Sequence, residues 1–204
     1  RRLGVAADAP IALSVGRLTP SKGHRRALEA LPHMLTHAPA LHWVVLGEGE
    51  DRPLLEQLAR ELNVADRVHV VGYVENPHPF YAAADIYLRT HLLEGENSSS
   101  QDAMAFGLPV AGFDTGCGTD CLSTVGHGEL AKADDPVALA AAASRLLTQA
   151  DRGRAAGARG RLHAMTHFDL QSGLRLFDGL YRDLARPDAR RLRGDHRWDL
   201  RTAA

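Results

Sequence analysis

The sequence predicts an α/β fold, a Rossmann-like parallel sheet with helices on both faces. Two observations predict it. Short apolar runs alternate along the chain with amphipathic stretches of helical period, the pattern of repeated βαβ crossovers. At 204 residues the chain is long enough for one sizeable α/β core and too short for two full domains of that kind. Apolar residues make up 45% and charged residues 24%, as in ordinary globular proteins. A net charge of −1 gives no global field to draw in nucleic acid. No apolar run reaches the roughly 20 residues a spanning helix needs, and no signal-peptide pattern opens the chain, which begins at Arg1 and reads as a piece of a longer protein.

The first strand is 11–16, an apolar run closed by glycine. A helix follows over 22–37, where Ala27, Leu28, Leu31, Met34 and Leu35 recur at i, i+3, i+4 spacing. Residues 41–47 form the second strand, and 51–63 a helix with Pro53 in its first turn and Leu54, Leu55, Leu58, Ala59 and Leu62 on one face. The third strand is 68–73, then come a short helix at 79–84, the fourth strand at 85–90, a helix centred on 102–106, and the fifth strand at 109–114. Past Gly118 the pattern turns mostly helical, over 136–149, 151–165 and 170–185. The domain therefore spans 11–186, with 1–10 as a linker remnant. Residues 187–204, with Arg190, Arg191, Arg193, Arg197 and Arg201 diluted by Asp188, Asp195 and Asp199, are expected to be a solvated, disordered tail.

Ligands of an open parallel sheet sit beyond the carboxyl ends of the strands, so the segments after each strand carry the chemistry. After the first comes Gly16-Arg17-Leu18-Thr19-Pro20-Ser21-Lys22-Gly23, where two cations across a tight turn can converge on one anion. An ordinary surface turn with solvated cations reads equally well. After the second comes Gly47-Glu48-Gly49-Glu50, which opens like a dinucleotide fingerprint but has Arg52 at the third glycine position and two acids that repel pyrophosphate. After the fourth strand, Glu94-Gly95-Glu96-Asn97-Ser98-Ser99-Ser100-Gln101-Asp102 forms a polar loop entering a helix, whose free N–H groups and dipole favour an anion. Glu94 and Asp102 flank that cradle and suit sugar hydroxyls better than phosphate; Asp102 could instead be a first-turn acid on the helix dipole. Cys117 and Cys121 with His127 make a weak metal case, and the i,i+4 pairs His33/His37 and His163/His167 lack the Glu of a metalloprotease motif.

Six collinear blocks over residues 11–184 resemble the C-terminal domain of GT-B glycosyltransferases of group 1. They are Gly16-Arg17-Leu18…Lys22-Gly23, Gly47-x-Gly49, Val70-Val71-Gly72-Tyr73, Tyr81-Ala82-Ala83-Ala84-Asp85, an E-x7-E-like Glu94…Asp102-Ala103-Met104-Ala105, and Gly126-His127-Gly128-Glu129-Leu130 with Asp135-Pro136 beyond. The resemblance implies one half of a GT-B two-domain fold, and retaining transfer from a UDP- or GDP-linked sugar without cofactor or metal; no D-x-D pair stands here to hold one. It implies that Arg17, Lys22 and Glu94 act at the chemistry. Gly16, Gly72, Tyr73, Gly95, Glu96, Asn97, Ser98, Ser99 and Asp102 would bind the donor, with Asp102 on the ribose. The partners implied are the donor and an N-terminal acceptor-binding domain, in the cytoplasm and, for the intact enzyme, open to association with the inner membrane face.

Two departures stand out. Asp102 is one methylene shorter than the family's Glu, and Cys117 and Asp120 interrupt the usual glycine pair and acid after the fifth strand. Another GT-B enzyme, such as a nucleotide-sugar epimerase or a phosphorylase, a non-catalytic nucleotide-sugar-binding module, and an α/β fold unrelated to sugars are the alternatives.

Overall fold

A computed structural model describes residues 3–92, 98–115 and 125–185. Each predicted strand forms: β1 (Ile11–Val15), β2 (His42–Leu46), β3 (Val68–Gly72), β4 (Ile86–Arg89) and β5 (Val110–Asp114), joined by a further strand, β6 (Gly128–Lys132). All pair in parallel, in the order β3-β2-β1-β4-β5-β6. The helices are α1 (His24–Leu35), α2 (Arg52–Glu61), α3 (His78–Ala83), α4 (Ser98–Ala105), α5 (Pro136–Thr148), α6 (Ala150–His167) and α7 (Leu170–Ala185).

Alternation along the strands fills two layers of core. Ala12, Trp43, Val45, Ile86, Leu88, Ala111 and Phe113 face one side, where Ala27, Leu28, Leu31 and Met34 of α1, Leu55 of α2 and Leu139 of α5 cover them. Leu13, Val44, Leu46, Tyr87 and Val110 face the other, against Tyr81 of α3 and Ala103 of α4. Successive side chains of a strand point to opposite faces, so neighbours such as Ala12 and Leu13 serve different layers. The consequence for the site is directional: α1 leaves β1 on one face while α4 leaves β4 on the other. Between those adjacent strands lies the switch point, where an open sheet leaves a crevice at its carboxyl edge.

The sixth strand was not expected, since the pattern past Gly118 reads as mostly helical. Among its five residues only Ala131 is buried, so it carries almost no apolar signal of its own. Pairing with β5 holds it in place, from Val110 opposite Gly128 to Asp114 opposite Lys132. Residues up to Met165 form one unit and those from Thr166 onward another. In the second unit, Leu170, Leu174, Phe177, Tyr181 and Leu184 of α7 are exposed along one stripe. No helix among the described residues is long and apolar enough to cross a membrane.

Helix α6 holds glycines where alanine would ordinarily stabilise a helix by about 1 kcal/mol. At Gly157 an added Cβ would lie 2.0 Å from the Gly107 carbonyl oxygen, a backbone atom in the turn that feeds β5. Overpacking of that kind costs about 1–3 kcal/mol and outweighs the propensity gain. Gly157→Ala should therefore lower the thermal midpoint by several degrees, whereas Gly173→Ala in α7, with nothing within 4 Å of the new atom, should not.

Candidate functional site

The carboxyl edge is stitched together by backbone contacts before any side chain is considered. Gly16 N–H donates to the Leu46 carbonyl at 3.0 Å, Leu18 N–H to the Glu48 carbonyl at 2.9 Å and Gly47 N–H to the Gly72 carbonyl at 2.8 Å. Gly47, at φ 143°, lies so close to the segment after β1 that a Cβ there would stand 1.9 Å from the Gly16 carbonyl oxygen. The glycines of Gly47-Glu48-Gly49 thus serve contact between loops, and a dinucleotide fingerprint has no place here. Glu48 is instead paired with Arg52 at 2.9 Å.

Across the switch point the turn Pro20–Lys22 docks on the end of β4. Thr90 Oγ1 donates to the Lys22 carbonyl at 2.7 Å, and Leu92 N–H donates to the Ser21 carbonyl at 3.0 Å. Gly23, in the left-handed region at φ 65°, closes this contact, since a Cβ would come within 2.1 Å of the Thr90 carbonyl oxygen. Lys22 is thereby held half-buried at the crevice, while Arg17 is exposed beside it. Burial, and then the nearby Arg17 charge, push the Lys22 pKa down. The spacing of the two cations in sequence does become proximity in space, and their mutual repulsion favours an anion between them.

Opposite stands the start of α4. The helix begins at Ser98, earlier than the expected centre at 102–106, so Ser98 and Ser99 are helical and belong to its first turn. The Tyr87 hydroxyl donates to Ser99 Oγ at 2.8 Å and faces the Val15 carbonyl at 3.4 Å, while the Tyr81 hydroxyl donates to the Ser99 carbonyl at 3.1 Å. Two tyrosines, stacked 6.0 Å apart, therefore fix the α4 N-terminus against the end of β1. Asp102 is not in the first turn of α4, which removes the reading of it as a dipole-complementing acid. It is half-buried; burial pushes its pKa up and the charge of His78 opposes that rise. The ring of His78 lies 5.6 Å from that of Phe106, the residue just past the end of α4. Gly72 is buried behind the Glu48 carboxylate and Tyr73 projects to solvent, 78% exposed. Glu94, Gly95, Glu96 and Asn97 lie outside the described residues, as do Cys117 and Cys121.

Sequence reasoning missed the layer beneath. His24 and His91 are buried under Lys22, and with Ser14, Tyr87, Thr90 and Ser99 they line a recess of ≈ 20 Å³. Burial, then the Lys22 charge, hold His24 down at about 4, with the Arg17 backbone acting in the opposite direction. Burial and the charges of Arg89, Lys22 and His24 hold His91 down at about 3. A signal for His24 did exist: His24, Ala27, Leu28 and Leu31 fall at i, i+3, i+4 and i+7, the inward face of α1. Arg89, 2% exposed and donating to the Phe113 carbonyl at 3.0 Å, was likewise unflagged inside a strand.

Residues 1–163 match the family model described as glycosyl transferases group 1. A lipopolysaccharide core biosynthesis glycosyltransferase, LpsE of Rhizobium meliloti, is 33% identical over 109 residues, covering 53% of this chain and 31% of its own length. A D-inositol 3-phosphate glycosyltransferase of Xylanimonas cellulosilytica is 37% identical over 169 residues, covering 78% of this chain and 39% of its own. Among solved structures, HepE of Anabaena in complex with UDP superposes with a TM-score of 0.79 at 20% identity, over 88% of this chain and 50% of that one. The chain thus spans well under two thirds of each.

The buried imidazoles make folding depend on pH. In the unfolded chain His24 regains its ordinary value of 6.5, above its folded value of about 4, so below pH 6.5 the unfolded state binds the extra proton and stability falls. The loss should run at about 1.4 kcal/mol per pH unit, or roughly 2 kcal/mol for His24 between pH 7 and pH 5. Urea unfolding at both pH values should show that loss, and His24→Gln should shrink it.

Proposed function

Because the chain belongs to the glycosyl transferases of group 1, we propose that it is the donor-binding half of a retaining, metal-independent glycosyltransferase. In this proposal it takes a sugar from a UDP- or GDP-linked donor, while the acceptor is held mainly by a preceding domain. One observation carries the assignment: Lys22 and Ser99, in the first turn of α4, line one recess at the switch point, with the Arg17 charge acting on Lys22. A diphosphate fits that pairing of cations with a helix N-terminus. The UDP bound by HepE, a protein of the same fold, supports a nucleoside diphosphate as the ligand class. The 31% and 39% shares of LpsE and the inositol phosphate glycosyltransferase support a second domain in the intact enzyme.

Breaking the anomeric C–O bond builds negative charge on the leaving β-phosphate. Lys22, Arg17 and the α4 N–H groups would meet that charge more strongly in the transition state than in the ground state, which is what lowers a barrier. They would supply the charge neutralisation that a divalent ion provides in other transferases. Glu94 would hold sugar hydroxyls, with Gly95, Glu96 and Asn97 beside it. Asp102 would accept from the ribose diol, and the backbone at Gly72 and Tyr73 would line the base. Retention follows the family pattern, and this chain alone should bind donor with little turnover.

Three outcomes follow. Arg17→Ala or Lys22→Ala should weaken UDP or GDP binding by about ten- to a hundred-fold, the loss of one charge-assisted contact; calorimetry giving unchanged affinity in folded variants would remove both from the site. Donor binding should survive EDTA, and restoration by magnesium or manganese after its loss would overturn the metal-independent mechanism. Asp102→Asn should weaken nucleoside diphosphate and nucleotide-sugar alike, whereas Glu94→Gln should spare the bare diphosphate and impair only the sugar-bearing donor. Equal losses of both ligands in both variants would end that division of roles.

A further inference from the structure

Two buried imidazoles lie beneath a pair of cations, and the clamp chemistry above does not use them. His24 is 2% exposed; the Arg17 backbone carbonyl lies near enough to favour its protonated form, but neither ring nitrogen reaches a partner in full hydrogen-bond geometry. Its ring faces that of Trp43 at 6.4 Å, but the Trp43 Nε1–H is already committed to Ser14 Oγ at 3.1 Å, and Ser14 in turn donates to the Leu88 carbonyl. Among the described residues, the charged and titratable groups around the two rings are Lys22 on the α1 side, and Tyr87, Arg89 and His91 from β4 and its end, with the Arg17 backbone beside His24. Among the described residues, every side-chain charge that acts on either ring is cationic. A buried donor or acceptor left without a partner is costly, and one such group beside a ligand crevice asks for an external source of charge or hydrogen bonding.

The two rings differ in what opposes their protonation. For His91 the largest charge is that of Arg89, which is itself buried and donates to the Phe113 carbonyl. For His24 the one opposing side-chain charge is that of Lys22, the same ammonium that an incoming anion would offset. His24 Nε2 also lies next to the crevice backbone, 3.8 Å from where a Cβ on Gly16 would stand. We propose that His24 belongs to the donor site, which rests on the donor-binding function proposed above: when a nucleoside diphosphate docks on Lys22, a ring nitrogen of His24 takes a proton from solvent, and anion and proton bind together. The proton adds a positive charge under the diphosphate and gives the ring a second N–H donor.

Calorimetry on the full chain with UDP-glucose and GDP-mannose tests this, because their diphosphates are diesters that do not titrate near neutral pH. Near pH 6, in two buffers of different ionisation enthalpy, the binding enthalpies should differ by an amount equal to uptake of about half a proton or more. Affinity should rise about three- to ten-fold per unit fall in pH, the linkage expected for that uptake. His24→Gln should bind with an enthalpy independent of buffer and a flat pH profile. Because that variant could fail to fold, the imidazole nitrogen shifts of His24 in the native chain provide a second readout, and ligand should move them toward the protonated range. Binding without proton uptake, or equal uptake in His24→Gln, would overturn the role of His24 and leave the donor-binding function standing. Failure of both sugar nucleotides to bind at any pH would overturn both.

Discussion

The site depends on how closely two loops approach at the boundary between β1 and β4. Gly23 lies against the Thr90 carbonyl with no room for a side chain, and Thr90 and Leu92 hydrogen-bond to Lys22 and Ser21. That contact fixes the Lys22 backbone at the crevice. It is possible because the two strands are parallel neighbours whose helices depart to opposite faces. On the far wall Tyr81 and Tyr87 hold the first turn of α4 at Ser99. Cation and helix terminus are thus set by backbone and buried hydroxyls, and such preorganisation is what makes electrostatic stabilisation effective.

Concentrating positive charge at a half-buried place has a cost in the unliganded protein. Lys22 is destabilised as an ammonium by its own burial and by Arg17, and the imidazoles of His24 and His91 are kept neutral. An anion docked on Lys22 would offset the repulsion between the two cations. The same lowered dielectric that penalises the charged groups strengthens their attraction for phosphate.

Much of this was legible in the sequence, for identifiable reasons. The first five strands and the helices between them were readable because both sheet faces are buried, which makes the strands apolar, and because α1 and α2 each keep a one-sided apolar face. Gly16, Arg17 and Lys22 were readable as a cluster because their place after β1 is a topological constraint. Strand β6 was not legible, since its placement comes from pairing with β5 rather than from its own side chains. Nor was the first turn of α4, because Ser98, Ser99 and Ser100 favour caps and turns on local grounds and are drawn into the helix by Tyr81 and Tyr87. His24 was overlooked because a histidine after Lys22-Gly23 looks solvent-facing unless the inward register of α1 is followed back to its first residue.

A rival place for a ligand exists at the opposite edge of the sheet, a cavity of ≈ 390 Å³ lined by Tyr81, Asp85, Phe106, Leu108, Leu146 and Arg154. Amide chemical shifts of the chain titrated with UDP and with GDP discriminate the two edges directly. At least one nucleotide should perturb the amides of residues 16–23, 72–74 and 98–102 while leaving those of 106–109 and 146–154 in place. Shifts confined to the second set, or absent with both nucleotides, would contradict a donor site at the carboxyl edge.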